Sequence, residues 1–150
     1  MDSSGTHLWL VLSKAYRALR GHAERSLEGI DMCLSDFAIL ELLLNRGPQP
    51  VNTIGQRIQL TSGSVTTAVD RLEERRLVAR SSDATDRRSR IVSLTPDGTK
   101  CIGEIFGHHR DALDRAAGGL TKGERATLIE LVKKLGRSAE ERFKDQPSDE

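Results

Sequence analysis

Between Val51 and Leu94 the spacing of apolar residues changes character, and no other stretch of the chain so narrows the folds open to it. Val51, Ile54 and Ile58 mark one short amphipathic helix, and Val65, Ala68, Val69 and Leu72 mark a second. Only Gln59-Leu60-Thr61-Ser62 lies between them. Two short helices joined by so tight a turn are the outline of a helix-turn-helix. After Arg76 the pattern becomes β-prone, with Leu77–Ser81 and Arg90–Leu94 flanking a polar connector from Ser82 to Ser89. That predicts a hairpin whose long tip carries arginine.

The flanks read as helices. From Thr6 to Leu27, Trp9, Leu12, Tyr16, Leu19 and Ala23 draw one stripe, and Leu8, Val11, Ala15 and Ala18 draw a second beside it. A helix apolar on two faces needs two partners, either a second subunit besides its own core or the interior of a monomer. Gly29–Leu34 breaks the pattern. Ser35 then serves as an N-cap for a helix carrying Phe37, Ile39, Leu40, Leu43 and Leu44, stopped by Gly47-Pro48. Thr95-Pro96-Asp97 restarts helix, which runs to Gly118-Gly119. Thr121 and Glu124 have capping-box spacing at the head of the last helix.

At 150 residues the chain is about one domain long, expected over 1–143, with a disordered tail at 144–150. Leu8–Leu12 is too short an apolar run to span a bilayer, and the residues around Asp2 lack the basic start of a secretory signal. No membrane partner is expected. Two cysteines, Cys33 and Cys101, supply no disulfide framework and fit a reducing cytoplasm. The net charge of +1 is uninformative, but its distribution is not: residues 75–90 hold six arginines against two aspartates.

The order of helices, helix-turn-helix, hairpin and helices suggests a module that reads double-stranded DNA. A recognition helix entering the major groove needs a small polar face. Ser62, Ser64, Thr66, Thr67 and Arg71 supply one opposite Val65, Val69 and Leu72. Hydroxyls at a helix start are equally the chemistry of ordinary capping. Arg87 and Arg88 at the hairpin tip, with Arg90 beside them, suit a narrow minor groove, whose negative potential attracts guanidinium groups. Asp86 suits the role of orienting an arginine, since a carboxylate repels phosphate. A merely solvated tip is the other reading.

These residues resemble the MarR family. The likeness is carried by Val69-Asp70-Arg71-Leu72-Glu73, by Asp86-Arg87-Arg88, and by Ile91-Val92-Ser93-Leu94-Thr95-Pro96-Asp97-Gly98, and it extends to about residue 143. It implies a mainly α fold with a small β-wing: a winged helix-turn-helix lobe at about 34–95, and dimerisation helices at about 6–30 and 96–143. It further implies a homodimer, commonly a repressor, released from DNA by a small aromatic or phenolic effector. Arg88 becomes the minor-groove arginine and Asp86 its orienting partner. Trp9, Leu12, Tyr16, Leu128 and Val132 become the expected dimer contacts. Many members carry arginine where this chain has Thr67, so base preference does not transfer.

The remaining reactive side chains point nowhere so definite. Cys33 falls in the break between the first two helices and reads as a small buried hydrophobe, with no cation near it in sequence to lower its pKa. Cys101 and His108 share a helical face, but His109 points about 100° away, and no second cluster has zinc spacing. No cofactor or metal is expected, and a thiol- or metal-responsive sensor is the lesser alternative. No nucleophile–base–acid set marks an enzyme. A winged-helix module that binds protein remains as a rival, although such a wing has no need of clustered cations.

Overall fold

The computed structural model describes residues 3–145, and the two short helices with their tight turn lie at its centre. They are preceded by α1 (Gly5–Arg25), α2 (Leu34–Arg46) and β1 (Gln49–Pro50). The pair itself is α3 (Val51–Ile58) and α4 (Ser62–Glu74). The hairpin β2 (Val78–Ser82) and β3 (Arg90–Leu94) follows, then α5 (Pro96–Ala116) and α6 (Lys122–Lys144). The chain divides into two compact units, residues 1–113 and 114–150.

In the first unit the turn between α3 and α4 is set by local chemistry. Gln59 takes a left-handed conformation (φ 56°), and the Thr61 side chain accepts a hydrogen bond from the Ser64 backbone to cap α4. Gly55 lets the two helices approach closely, since a Cβ there would lie 3.0 Å from Val65 Cγ2 and 3.2 Å from the Leu60 carbonyl oxygen. The buried faces are the ones the spacing predicts: Ile54 from α3, and Val65, Ala68, Val69 and Leu72 from α4. They pack with Phe37, Ile39, Leu40 and Leu43 of α2, Val78 and Val92 of the hairpin, and Ile102 and Ile105 of α5.

Two details differ from the sequence reading. The helix expected after Ser35 begins two residues earlier, with Cys33 at the cap position and no side-chain cap bond. β1, which the sequence reading does not contain, pairs antiparallel with β3 through Gln49 opposite Val92 and Pro50 opposite Ile91. At two residues it is too short for any period, and its pairing partner lies some forty positions downstream. The sheet order is β1-β3-β2, so β2 is an edge strand.

α1 buries little within its unit. Only Ala23 is buried in the helix itself, while Trp9 is 70% exposed and Tyr16 63% exposed. Leu12 is half-buried. In the second unit α6 opens on the anticipated capping box, with Thr121 and Glu124 exchanging backbone and side-chain bonds. None of its residues is buried, and Leu128, Ile129, Leu131 and Val132 are all exposed. The helix reaches Lys144, one residue into the expected disordered tail. The rest of that tail, 146–150, lies outside the described residues.

Candidate nucleic-acid interface

α4 turns its apolar stripe into the core, which leaves Ser62, Ser64, Thr66 and Thr67 exposed on the opposite face. Thr66 Oγ1 donates to the Ser62 carbonyl at 3.0 Å, and Thr67 Oγ1 donates to the Gly63 carbonyl at 3.0 Å. Each threonine hydroxyl thus spends its proton within the helix, leaving its oxygen to accept and its methyl group for apolar contact. Ser64 accepts from Thr61 Oγ1 at 2.9 Å. This surface is small and short-branched, as close approach to base edges demands.

Arg71 does not share that surface. Its Nε donates to Asp36 Oδ2 at 2.9 Å and its Nη2 to Asp36 Oδ1 at 2.5 Å, a two-point fork onto a carboxylate of α2. Asp36 is 1% exposed, and the fork compensates the charge that burial would otherwise make costly. The hydrogen bond to Asp36 raises the Arg71 pKa far beyond its ordinary value. Its guanidinium ties α4 to α2, a role the sequence reading of Arg71 as part of the groove-facing surface did not include. Arg75, one turn on, donates to the Asp31 carbonyl at 2.6 Å.

The tip of the hairpin is folded by its aspartates. Asp83 Oδ1 accepts from the Thr85 backbone at 2.9 Å and from Thr85 Oγ1 at 2.8 Å, and the backbone bond from Thr85 does most to lower the Asp83 pKa. Asp86 Oδ1 accepts from the backbone N–H of Arg88 at 2.9 Å. Asp86 thus acts on Arg88 through the backbone, shaping the chain from which the guanidinium projects. Arg87 and Arg88 are exposed, and neither has an ion-pair partner among the described residues. Arg90 reaches back across the hairpin to Ser82 Oγ at 2.8 Å.

Between α4 and the tip lies an open cleft of about 710 Å³. Ser62 and Thr66 line it from one side and Asp86, Arg88 and Arg90 from the other. Asn52 and Gln56 of α3 also face it. The sequence reading missed both, although they fall on the polar side of a helix whose other side is Val51, Ile54 and Ile58. It also gave Arg80 no role. Arg80 lines the cleft, and its guanidinium bridges Asp70 Oδ1 at 2.5 Å and Glu73 Oε1 at 3.0 Å, both on α4.

The thiols and histidines need one correction. Cys33 is exposed, not buried. Its sulfur lies 3.4 Å from Arg71 Nη2 and 3.0 Å from Ser35 Oγ, so tertiary structure supplies the cation that its sequence neighbours lack. His109 is buried, and its ring centroid lies 4.1 Å from that of Phe37. Its Nδ1 lies 2.7 Å from Ser26 Oγ. Ser26 Oγ also donates to the Ala23 carbonyl at 2.7 Å. Among the described residues no group of three or more His, Cys, Asp or Glu side chains could hold a metal ion. No helix there is long and apolar enough to cross a membrane.

Residues 33–89, the span that contains α2 through the wing tip, match the model of the MarR family. The HTH-type transcriptional regulator MhqR of Bacillus subtilis (strain 168) is 34% identical over 141 residues, covering 94% of this chain and 97% of its own length. This chain belongs to the MarR family. It is a DNA-binding transcription regulator with the family's winged-helix fold, and members of that family regulate transcription rather than catalyse reactions. Among solved structures it resembles Bordetella bronchiseptica BpsR, described for the regulation of its DNA binding by 6-hydroxynicotinic acid. That match has a TM-score of 0.79 at 25% identity and covers 87% of this chain and 98% of the other. AbsC of Streptomyces coelicolor, a MarR family regulator, superposes at a TM-score of 0.82 over 93% of this chain and 97% of its own. At 18% identity that likeness speaks for the fold alone.

Proposed function

We propose that this MarR-family chain acts as a homodimeric repressor that clasps a pseudo-palindromic operator. In this reading α4 of each subunit lies in the major groove, and Arg88 enters the flanking minor groove. The observation that carries it is the pairing across one cleft of an exposed hydroxyl face on α4 with arginines at the wing tip that have no ion-pair partner among the described residues. Phosphate contacts supply affinity and base-edge contacts supply sequence. Asn52 and Gln56 are suited to the first role, and Ser62, Ser64, Thr66 and Thr67 to the second.

The exposed apolar residues of α1 (Trp9, Tyr16, and Leu12 beside them) support a second subunit, since contiguous apolar surface on a protein commonly marks an interface. Leu128 and Val132 of α6 support the same reading on their own account. The effector side of the proposal rests on the BpsR likeness and on a second cleft of about 670 Å³. Tyr16, Arg20, Met32, Cys33 and Leu34 line it, and such a size suits a small aromatic acid or phenol.

Fluorescence anisotropy with the promoter DNA next to the protein's own gene tests the whole. Specific binding weakened by Arg88→Ala is the expected result, as is release on titration of 6-hydroxynicotinic acid or a simple phenol. Binding to promoter DNA no tighter than to generic duplex would remove the operator reading. Binding unaffected by those compounds would remove the aromatic effector.

A further inference from the structure

We propose that Arg80 is a positioning residue for operator binding, acting through Asp70 and Glu73 to set the spacing between recognition helix and wing. The proposal rests on the reading that α4 and Arg88 both touch DNA. β2 is an edge strand, paired only with β3, and an edge strand leaves a row of backbone groups without partners. At Arg80 that vacancy is filled from α4: the Arg80 backbone N–H donates to Glu73 Oε2 at 3.1 Å. The same residue's guanidinium donates to the other Glu73 oxygen at 3.0 Å and to Asp70 Oδ1 at 2.5 Å. Three bonds from one residue thus fasten the wing's outer strand to the recognition helix.

The place of these bonds on α4 gives them their function. Ser62, Thr66, Asp70 and Glu73 follow one another at spacings of four, four and three, along a single helical face. Asp70 and Glu73 therefore continue the surface that presents Ser62 and Thr66. Two carboxylates beside a DNA backbone repel it unless they are paired. Arg80 pairs both while its own side chain stays only 21% exposed, which leaves its cation committed to the helix. Directly opposite Arg80 stands Val92 of β3, fully buried, so the strand is held at this point from both sides. Beyond it β2 has β3 alone beside it, while β3 keeps one further pair, Ile91 with Pro50 of β1. The clamp thus sets the outer side of the wing and, with it, the distance from Thr66 to Arg88.

A double-mutant cycle with Arg88 tests the clamp, read as operator affinity in anisotropy with folding checked by thermal melting. Arg80→Met keeps the apolar stem and removes the bridges. It lowers affinity about tenfold in the parent background and less than about twofold in the Arg88→Ala background, the non-additivity expected of coupled residues. Equal losses in both backgrounds would mean that Arg80 contacts phosphate independently and would overturn the proposal, as would no loss in the parent. Asp70→Asn keeps the strand residue and the Glu73 bridge, and carries the test if Arg80→Met does not fold. The clamp requires weaker binding from Asp70→Asn, whereas removal of a simple repulsive charge near DNA tightens it. A neutral Arg88→Ala removes the wing reading and the clamp with it. A costly Arg88→Ala with an additive Arg80→Met removes the clamp alone.

Discussion

Arg88 and Arg71 have the same charge and opposite employment. Arg71 is spent on a buried carboxylate, while Arg88 stands at a tip whose backbone is shaped by Asp86. Arg88→Ala should therefore weaken operator binding by about 1–3 kcal/mol per subunit, and lower the slope of log K against log salt by about one unit. Asp86→Ala should cost less, because it loosens a turn and removes no cation. Anisotropy at several salt concentrations checks both, and an Arg88→Ala protein with the parent's affinity and slope excludes the wing from the complex. His109 makes a pH prediction. Burial, with a smaller push from His108, lowers its pKa below the ordinary value, which is about 6.5. As pH falls the unfolded chain takes up the proton first, so the stability His109 contributes is whole above about 6.5 and is lost as pH drops through its folded value. Thermal melts between pH 7 and 5 should show a shallower decline for His109→Gln than for the parent. The two thiols should also separate. Cys33 is exposed, whereas burial raises the Cys101 pKa, so a disulfide reagent at neutral pH should modify Cys33 first, as mass spectrometry of early time points would report.

At the scale of elements, the join between α5 and the wing depends on an absent side chain. A Cβ on Gly98 would lie 1.9 Å from the Leu77 carbonyl oxygen. The head of α5 sits hard against the chain entering β2, where Thr95 N also donates to that oxygen at 3.1 Å. Gly98→Ala must push these segments apart, and overpacking of this kind costs about 1–3 kcal/mol or more. Urea titration measures it, and an unchanged midpoint would show that the join yields freely. Residues near one another in sequence made such elements easy to foresee: Thr95, Pro96 and Asp97 are all the signal a helix start requires, and Thr121 with Glu124 likewise. β1 lacked any such signal, because a two-residue strand exists only by virtue of its partner.

For the whole molecule the apolar face of α1 needs something that covers it. If a second copy does, sedimentation should show a dimer at micromolar concentration, and deletion of residues 1–25 should leave a monomer that retains the winged-helix fold. A dimer surviving that deletion would place the interface elsewhere. Two-fold symmetry then fixes the operator: half-sites about one helical turn apart, roughly 10–10.5 bp centre to centre.

The periods of 3.6 and 2 are properties of neighbouring residues, so the sequence alone determined the helices, the tight turn between α3 and α4, the hairpin and the faces that α2, α3 and α4 bury. It also marked Ser62, Thr66 and Arg88 as polar positions, and the fold leaves all three exposed. Tertiary structure decided which charges remained available. Arg71 meets Asp36 from thirty-five positions away, Arg80 meets Asp70 and Glu73 across a change of element, and Cys33 surfaces beside a cation distant in sequence. An arginine's partner depends on which carboxylate the packing of the core delivers within about 3 Å, and no local pattern encodes that distance.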